Sequence, residues 1–125
     1  MLPGKYKLKH MKDFEILFAE GDFVVDKLVT AKVWQVDPSK YSRRKYTEED
    51  LKIGFIVSKK VHKGAVKRNR LKRQMREVVR LLLKGGRLKS GYMIAIMAKG
   101  NALGKDYKEI EASVKSLLGK AKVLV

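Results

Sequence analysis

Apolar residues change their spacing along this chain, and each change marks an element. In KDFEILFAEG, residues 12–21, Phe14, Leu17 and Phe18 stand at i, i+3 and i+4, the pattern of a short amphipathic helix that Gly21 can end. From Phe23 to Val36 the period drops to two. Val29, Ala31 and Val33 share one face, and Thr30, Lys32, Trp34 and Val36 share the other. A turn near Asp26 would split this stretch into two strands. DPSKYSRRKYTEED, residues 37–50, is polar and reads as a long loop. KIGFIVSKKV restores the alternation, with Ile53, Phe55 and Val57 facing one way. In KKVHKGAVKRNRLKRQMREVVRLLLKGG, residues 59–86, Leu71, Met75, Val78, Val79 and Leu82 recur at helical spacing until paired glycines end the run. YMIAIMA, residues 92–98, is nearly continuous apolar sequence, as a central strand requires. Asp106 and Glu109 stand at capping-box spacing, and Tyr107, Ile110, Val114, Leu117 and Leu118 mark one face of a closing helix. Residues 1–10, MLPGKYKLKH, are basic and read as extended, since Pro3 and Gly4 oppose an early helix. The predicted order is α-β-β-β-α-β-α, an α+β sandwich with about three helices packed on one four-stranded sheet.

Composition changes this picture in one respect. A length of 125 residues favours a single domain, 1–125, and 45% hydrophobic residues are enough for a core. Cysteine is absent, which excludes disulfides and thiolate metal sites. No apolar run has the length of a membrane span and no signal segment opens the chain, so the cytoplasm is the expected compartment. The charge, however, is extreme: 30 Lys and Arg against 13 Asp and Glu, a formal +17. Self-repulsion of that size destabilises a compact state, and a polyanionic partner relieves it. Nucleic acid, an anionic membrane surface and an acidic protein are the candidates.

The helix within residues 59–86 discriminates among them. At 100° per residue, Leu71, Met75, Val78 and Leu82 cluster within about 30° of one direction, while Asn69, Arg73, Arg76 and Arg80 cluster on the opposite side. Lys72 and Arg70 flank that row, which is expected to hold no acid. Planar guanidinium forks suit phosphate, and Asn69 adds a neutral donor and acceptor for a base edge or 2′-hydroxyl. The free amides near Gly64 offer a further anion site. A merely solubilising face would mix signs for i,i+4 pairing. A membrane-surface helix would want aromatics in its apolar stripe, and a helix-turn-helix would follow a short turn rather than sit between strands. Nucleic acid is the reading, with RNA favoured.

SKKVHKGAVKRNRLKRQMREVVR resembles the signature of the bacterial ribonuclease P protein subunit, whose hallmark is an Arg-Asn-Arg helix after a Ser-Lys-Lys strand end. Arg68, Asn69 and Arg70 match the triplet, and Lys72, Arg73 and Arg76 match basic positions beyond it. KDFEILFAEG resembles the family's first helix, and GYMIAIMAKGNAL its last strand and the following turn, so the likeness covers most of the chain. This sequence departs from the pattern in three places. It carries one extra residue between Lys60 and Arg68, it reads Lys7, Leu8 at an early basic pair, and it has Lys32 near a position commonly aromatic, with Trp34 two residues on.

The resemblance implies a protein that is not itself catalytic. It would bind a large catalytic RNA which, with Mg²⁺, removes the 5′ leader of precursor tRNA. It implies a left-handed β-α-β crossover around the Arg-Asn-Arg helix, against the general rule. It assigns Lys59, Lys60, Arg68, Asn69, Arg70, Lys72, Arg73, Arg76 and Arg80 to the RNA subunit, and Lys7, Phe14, Phe18, Lys32 and Trp34 to a cleft for the single-stranded leader. Spacing alone assigns the two phenylalanines to core packing instead. No metal site in the protein and no obligate protein partner are expected. Two rival classes stay open. A nuclease in its own right would need clustered carboxylates or an oriented histidine, and His10 and His62 have no evident carboxylate beside them. A ribosomal-type RNA-binding protein would share the charge and layout, with no reason to combine the arginine row with the phenylalanine pair.

Overall fold

The turn expected near Asp26 is present, and it divides the first alternating stretch into β1 (Asp22–Val25) and β2 (Val29–Gln35). The computed structural model describes residues 2–125. Before β1 stands α1 (Met11–Glu20); after β2 come β3 (Leu51–Ile56), α2 (Ala65–Lys84), β4 (Tyr92–Ala98) and α3 (Tyr107–Lys120). The observed order is the predicted one.

The four strands form one sheet in the order β1-β2-β4-β3. The β1–β2 and β2–β4 pairs are antiparallel, and β3 runs parallel to β4, with α2 as the crossover between them. Parallel neighbours need such a connection, and a helix with a continuous apolar stripe supplies it. Leu71, Met75, Val78, Val79 and Leu82 of α2 pack with Ile110, Val114, Leu117 and Leu118 of α3 onto Val29, Ala31, Val33, Ile53, Ile94 and Ile96. Each fully buried Val, Leu, Ile or Met among them contributes about 1.5–3 kcal/mol. The opposite face carries a smaller cluster, in which Ile16 and Leu17 of α1 meet Trp34, Met93 and Ala95, with Leu8, Val36 and Tyr46 alongside. β4 therefore buries both its faces, which is why its sequence is a continuous apolar run.

Local chemistry explains the ends of the elements. Asp106 caps α3, its Oδ1 accepting from the Glu109 N–H at 2.9 Å, as the spacing predicted. The Gly64 cap of α2 has no side-chain acceptor. Instead, Arg68 Nη1 donates back to the carbonyls of His62 and Lys63 at 3.1 and 2.6 Å, and the Gly64 N–H donates to His62 Nδ1 at 2.8 Å. The loop before α2 is thus tied to the helix it enters. Gly86, in the left-handed region at φ 66°, turns the chain out of α2.

Residues 1–10 correct the expectation of a simply extended lead-in, of which Met1 lies outside the described residues. Gly4–Tyr6 form a 3-10 turn, Leu2 is buried in the main core, and Lys7 then pairs with Ile53 along the outer edge of β3. The Leu8 N–H donates to the Ile53 carbonyl at 3.1 Å.

The β1–β2 turn is pinned to α3 by Asp26. Burial alone would raise this carboxyl, but hydrogen bonds from Ser116, Lys120, the Lys27 N–H and Ser113 outweigh it and hold it well below the ordinary 3.8. A depressed folded-state value stabilises the fold above the ordinary value, and that stabilisation is lost as pH falls through the folded one. Thermal melts from pH 7 down to pH 2 should therefore show a shallower acid dependence for Asp26→Asn than for the parent; equal acid slopes would refute the pinning role.

Candidate nucleic-acid interface

The cations of α2 point in three directions, not one. A 100° step puts Asn69 and Arg73 on the crest opposite the buried stripe. On the flank beside β3, Lys72 and Arg76 line a hollow with Lys7, Lys9, Phe14 and Phe55, and the Arg76 guanidinium lies 5.9 Å from the Phe55 ring centroid. On the other flank, Lys67 and Arg70 face the loop before α3. Lys59 and Lys60 are exposed in the turn after β3.

Two residues of the predicted row behave differently from expectation. Angular spacing predicts a row without acids, yet Glu77 accepts from both Nε and Nη2 of Arg80, one turn further on. These bonds lower the Glu77 carboxyl and raise the Arg80 guanidinium. The free crest therefore stops short of Arg80. Arg68, placed by the resemblance among RNA contacts, directs one guanidinium nitrogen into its own loop.

The second surface lies on the α1 side of the sheet. α1 and the loop 37–50 cover only the end of that face that contains Trp34 and Met93. The rest is open: Phe23 and Val25 of β1 are 58% and 48% exposed, and Thr30, Lys32 and Met97 are half-buried. Helical spacing puts Met11, Phe14 and Phe18 on one flank of α1, with Phe18 38% exposed. Phe14 is half-buried and lies over Gly54, where an added Cβ would come within 3.0 Å of its ring. Lys32 pairs across the strands with Phe23 and holds its ammonium 5.9 Å from that ring. Half-exposed aromatics beside a cation form a surface on which bases can stack while phosphates are neutralised.

Trp34 corrects the predicted cleft. It is only 7% exposed, and the rings of Tyr41 and Tyr46 stand edge-on to it at 6.0 and 5.6 Å. It shares a face with Lys32, as the alternation required, but it lies under the loop and offers no ring face to a strand. The exposed aromatic is Phe23, which sequence reasoning missed. Its signal was the alternation of DFVV, which puts Phe23 and Val25 on the Lys32 face once the turn at Asp26 is granted.

The other flank of α1 holds the loop in place. Asp13, 2% exposed, accepts from Arg44 Nη2 at 2.8 Å and from the Tyr46 hydroxyl, and Glu20 accepts from Lys40 Nζ at 2.6 Å and Tyr41 Oη at 3.2 Å. Burial, reinforced by Asp13, pushes Tyr46 up to about 12, so it remains a donor at neutral pH. These contacts fix α1 as the wall of the open groove.

Cations fanned over the crest and flanks of α2 and an aromatic groove on the reverse of one sheet define an RNA-binding α+β protein. The ribonuclease P family model matches residues 2–122. A ribonuclease P protein component from Pseudanabaena sp. (strain PCC 6903) is 37% identical over 99% of this chain and 97% of its own length. One from Alkaliphilus metalliredigens (strain QYMF) is 34% identical over 94% and 95%. Among solved structures, a Staphylococcus aureus RNase P protein mutant with defective mRNA degradation activity superposes with a TM-score of 0.78 at 24% identity, covering 94% of this chain and 89% of that one. The RNase P protein from Thermotoga maritima gives 0.73 at 20% identity, covering 91% and 96%. The chain belongs to the ribonuclease P protein family. It is accordingly an RNA-binding protein component of the tRNA-processing ribonuclease P, partnered with that enzyme's RNA subunit, and the ribosomal-type alternative falls away.

Burial separates the two aromatics of the sheet face. Trp34→Ala is expected to lower stability by about 3–5 kcal/mol, and Phe23→Ala by less than about 1 kcal/mol. Urea unfolding of both variants checks this, and equal losses would contradict the assignment of Phe23 to open surface.

Proposed function

We propose that this chain contributes no catalytic group to ribonuclease P and acts by holding two RNAs at once. The crest of α2 docks on the catalytic RNA, and the groove between α1 and β1 receives the single-stranded 5′ leader of precursor tRNA. Hydrolysis of the phosphodiester belongs to the RNA, with Mg²⁺. The observation that carries this reading is the placement of two chemically different surfaces on opposite faces of one sheet. A helix surface that carries Arg70, Arg73 and Arg76 on its crest and flanks suits the dense phosphates of a folded RNA. An open platform of Phe18, Phe23 and Lys32 suits a flexible strand, whose unpaired bases can stack with little sequence demand.

Among the described residues, no three His, Cys, Asp or Glu side chains come together as a metal site. No described helix is long and apolar enough to cross a membrane.

Reconstitution tests the reading. With a bacterial-type catalytic RNA at low Mg²⁺, adding the protein should raise precursor-tRNA cleavage, and the protein alone should give none. Cleavage by the protein alone would overturn the non-catalytic assignment. Arg73→Ala with Arg76→Ala should weaken binding to the catalytic RNA and flatten its dependence on salt, by about 0.7–0.9 in log–log slope for each phosphate no longer neutralised. Phe18→Ala with Phe23→Ala should instead narrow the preference for precursor over mature tRNA, and an equal loss for both substrates would remove the leader from the groove.

A further inference from the structure

Sulfur in this chain is confined to methionine, because cysteine is absent. The four methionines among the described residues divide by position. Met75 and Met93 are fully buried, one in each core cluster. Met11 is 77% exposed, and Met97 is half-buried. Both accessible thioethers border the open aromatic groove. Met11 opens α1, three residues before Phe14 and seven before Phe18, so 100° steps put all three on the groove flank. Met97 belongs to the groove floor. It stands two residues beyond Ala95, where the cover of α1 and its loop stops, and it pairs with Thr30 and Ile56 on either side.

We propose that Met11 and Met97 form a peroxide-sensitive modification site, whose oxidation to the sulfoxide weakens the hold on the single-stranded leader. The proposal rests on the reading of this groove as the leader site. The chemistry needs only a thioether that hydrogen peroxide can reach. A sulfur lone pair attacks one peroxide oxygen and the O–O bond breaks. The departing hydroxide then takes the proton from the transferred hydroxyl and leaves as water. Sulfur is oxidised by two electrons to the sulfoxide, and the peroxide is reduced. Burial keeps Met75 and Met93 out of reach, so both cores are spared. Before oxidation the thioether is flexible, polarisable and apolar, and it can pack against any base. Afterwards it is polar and carries a strong acceptor oxygen, which favours water over the face of a base. The accessible surface of α2 carries no methionine, so docking on the catalytic RNA is untouched. A dithiol-driven sulfoxide reductase reverses the step, with the oxygen released as water and the thiols joined as a disulfide.

The test treats the free protein with hydrogen peroxide, removes the peroxide with catalase, and only then adds RNA. Peptide mass spectrometry should find sulfoxide on Met11 first and on Met97 next, with Met75 and Met93 intact. In the assembled enzyme the preference for precursor over mature tRNA should fall by about three- to tenfold, with affinity for the catalytic RNA unchanged. Methionine sulfoxide reductase with dithiothreitol should restore the preference. Met11→Leu with Met97→Leu, compared with itself before and after peroxide, should show no change. That variant still carries Met1, so its insensitivity assigns the effect to the groove. Unchanged preference in a parent protein oxidised at both groove sulfurs would overturn the proposal. A leucine variant that responds to peroxide as the parent does would overturn it too, as would Met75 or Met93 oxidising as fast as Met11. An untreated parent with no preference for precursor would instead overturn the reading of the groove as the leader site.

Discussion

A four-stranded sheet has two apolar faces, and burying both takes more covering structure than this chain puts on the second one. α2 and α3 cover one face along the length of β2 and β4. On the other, α1 and the loop 37–50 cover Trp34, Met93 and Ala95, which leaves Phe23 and Val25 of the edge strand in solvent. That shortfall is maintained by specific contacts. Asp13 and Glu20 bind α1 to the loop through Arg44, Tyr46, Lys40 and Tyr41, and Phe14 seats on Gly54. The helix is thereby held at one end of the face, and the groove beside it is part of the fold.

The charge follows a second constraint. A formal +17 on 125 residues opposes compaction, and α2 reconciles the two demands by burying one apolar stripe while its cations fan out over the remaining surface. Arg80 and Arg68 are taken up within the protein, one by Glu77 and the other by the carbonyls of the entering loop. Asn69, Arg70, Arg73, Lys72 and Arg76 remain at or near the surface. The register brings the two surfaces to the same end of the molecule. Met97 of β4 pairs with Thr30 on one side and Ile56 on the other, and the segment 57–64 leads from Ile56 to the start of α2 at Ala65. One ribonucleoprotein can therefore reach the crest and the groove together, from opposite sides of the sheet.

How far the sequence foretold this depends on the range of the interaction involved. The stripe of Leu71, Met75, Val78 and Leu82, the Asp106 cap and the two-period alternation of Val29–Val33 are local patterns, and all three appear as read. The Arg-Asn-Arg resemblance pointed to the family. Trp34 was misplaced and Phe23 missed because alternation assigns a residue to a face but says nothing of how far along that face a helix extends. Arg80 was misjudged because Glu77, three residues earlier, lies close enough in angle to turn and bind it. Arg68 illustrates the remaining limit: whether a helical arginine faces solvent or its own loop depends on the loop's path, which no local periodicity reports.

The central claim is that the crest and the groove serve different RNAs and act independently. The direct measurement is a double-variant cycle pairing Asn69→Ala/Arg73→Ala with Phe18→Ala/Phe23→Ala, reading affinity for the catalytic RNA and the precursor-to-mature ratio in each protein. Independence predicts that the crest variant changes only the first quantity and the groove variant only the second, with the combined protein additive to within about 0.5 kcal/mol. A crest variant that also erases precursor preference, or a combined protein far from additive, would contradict the account.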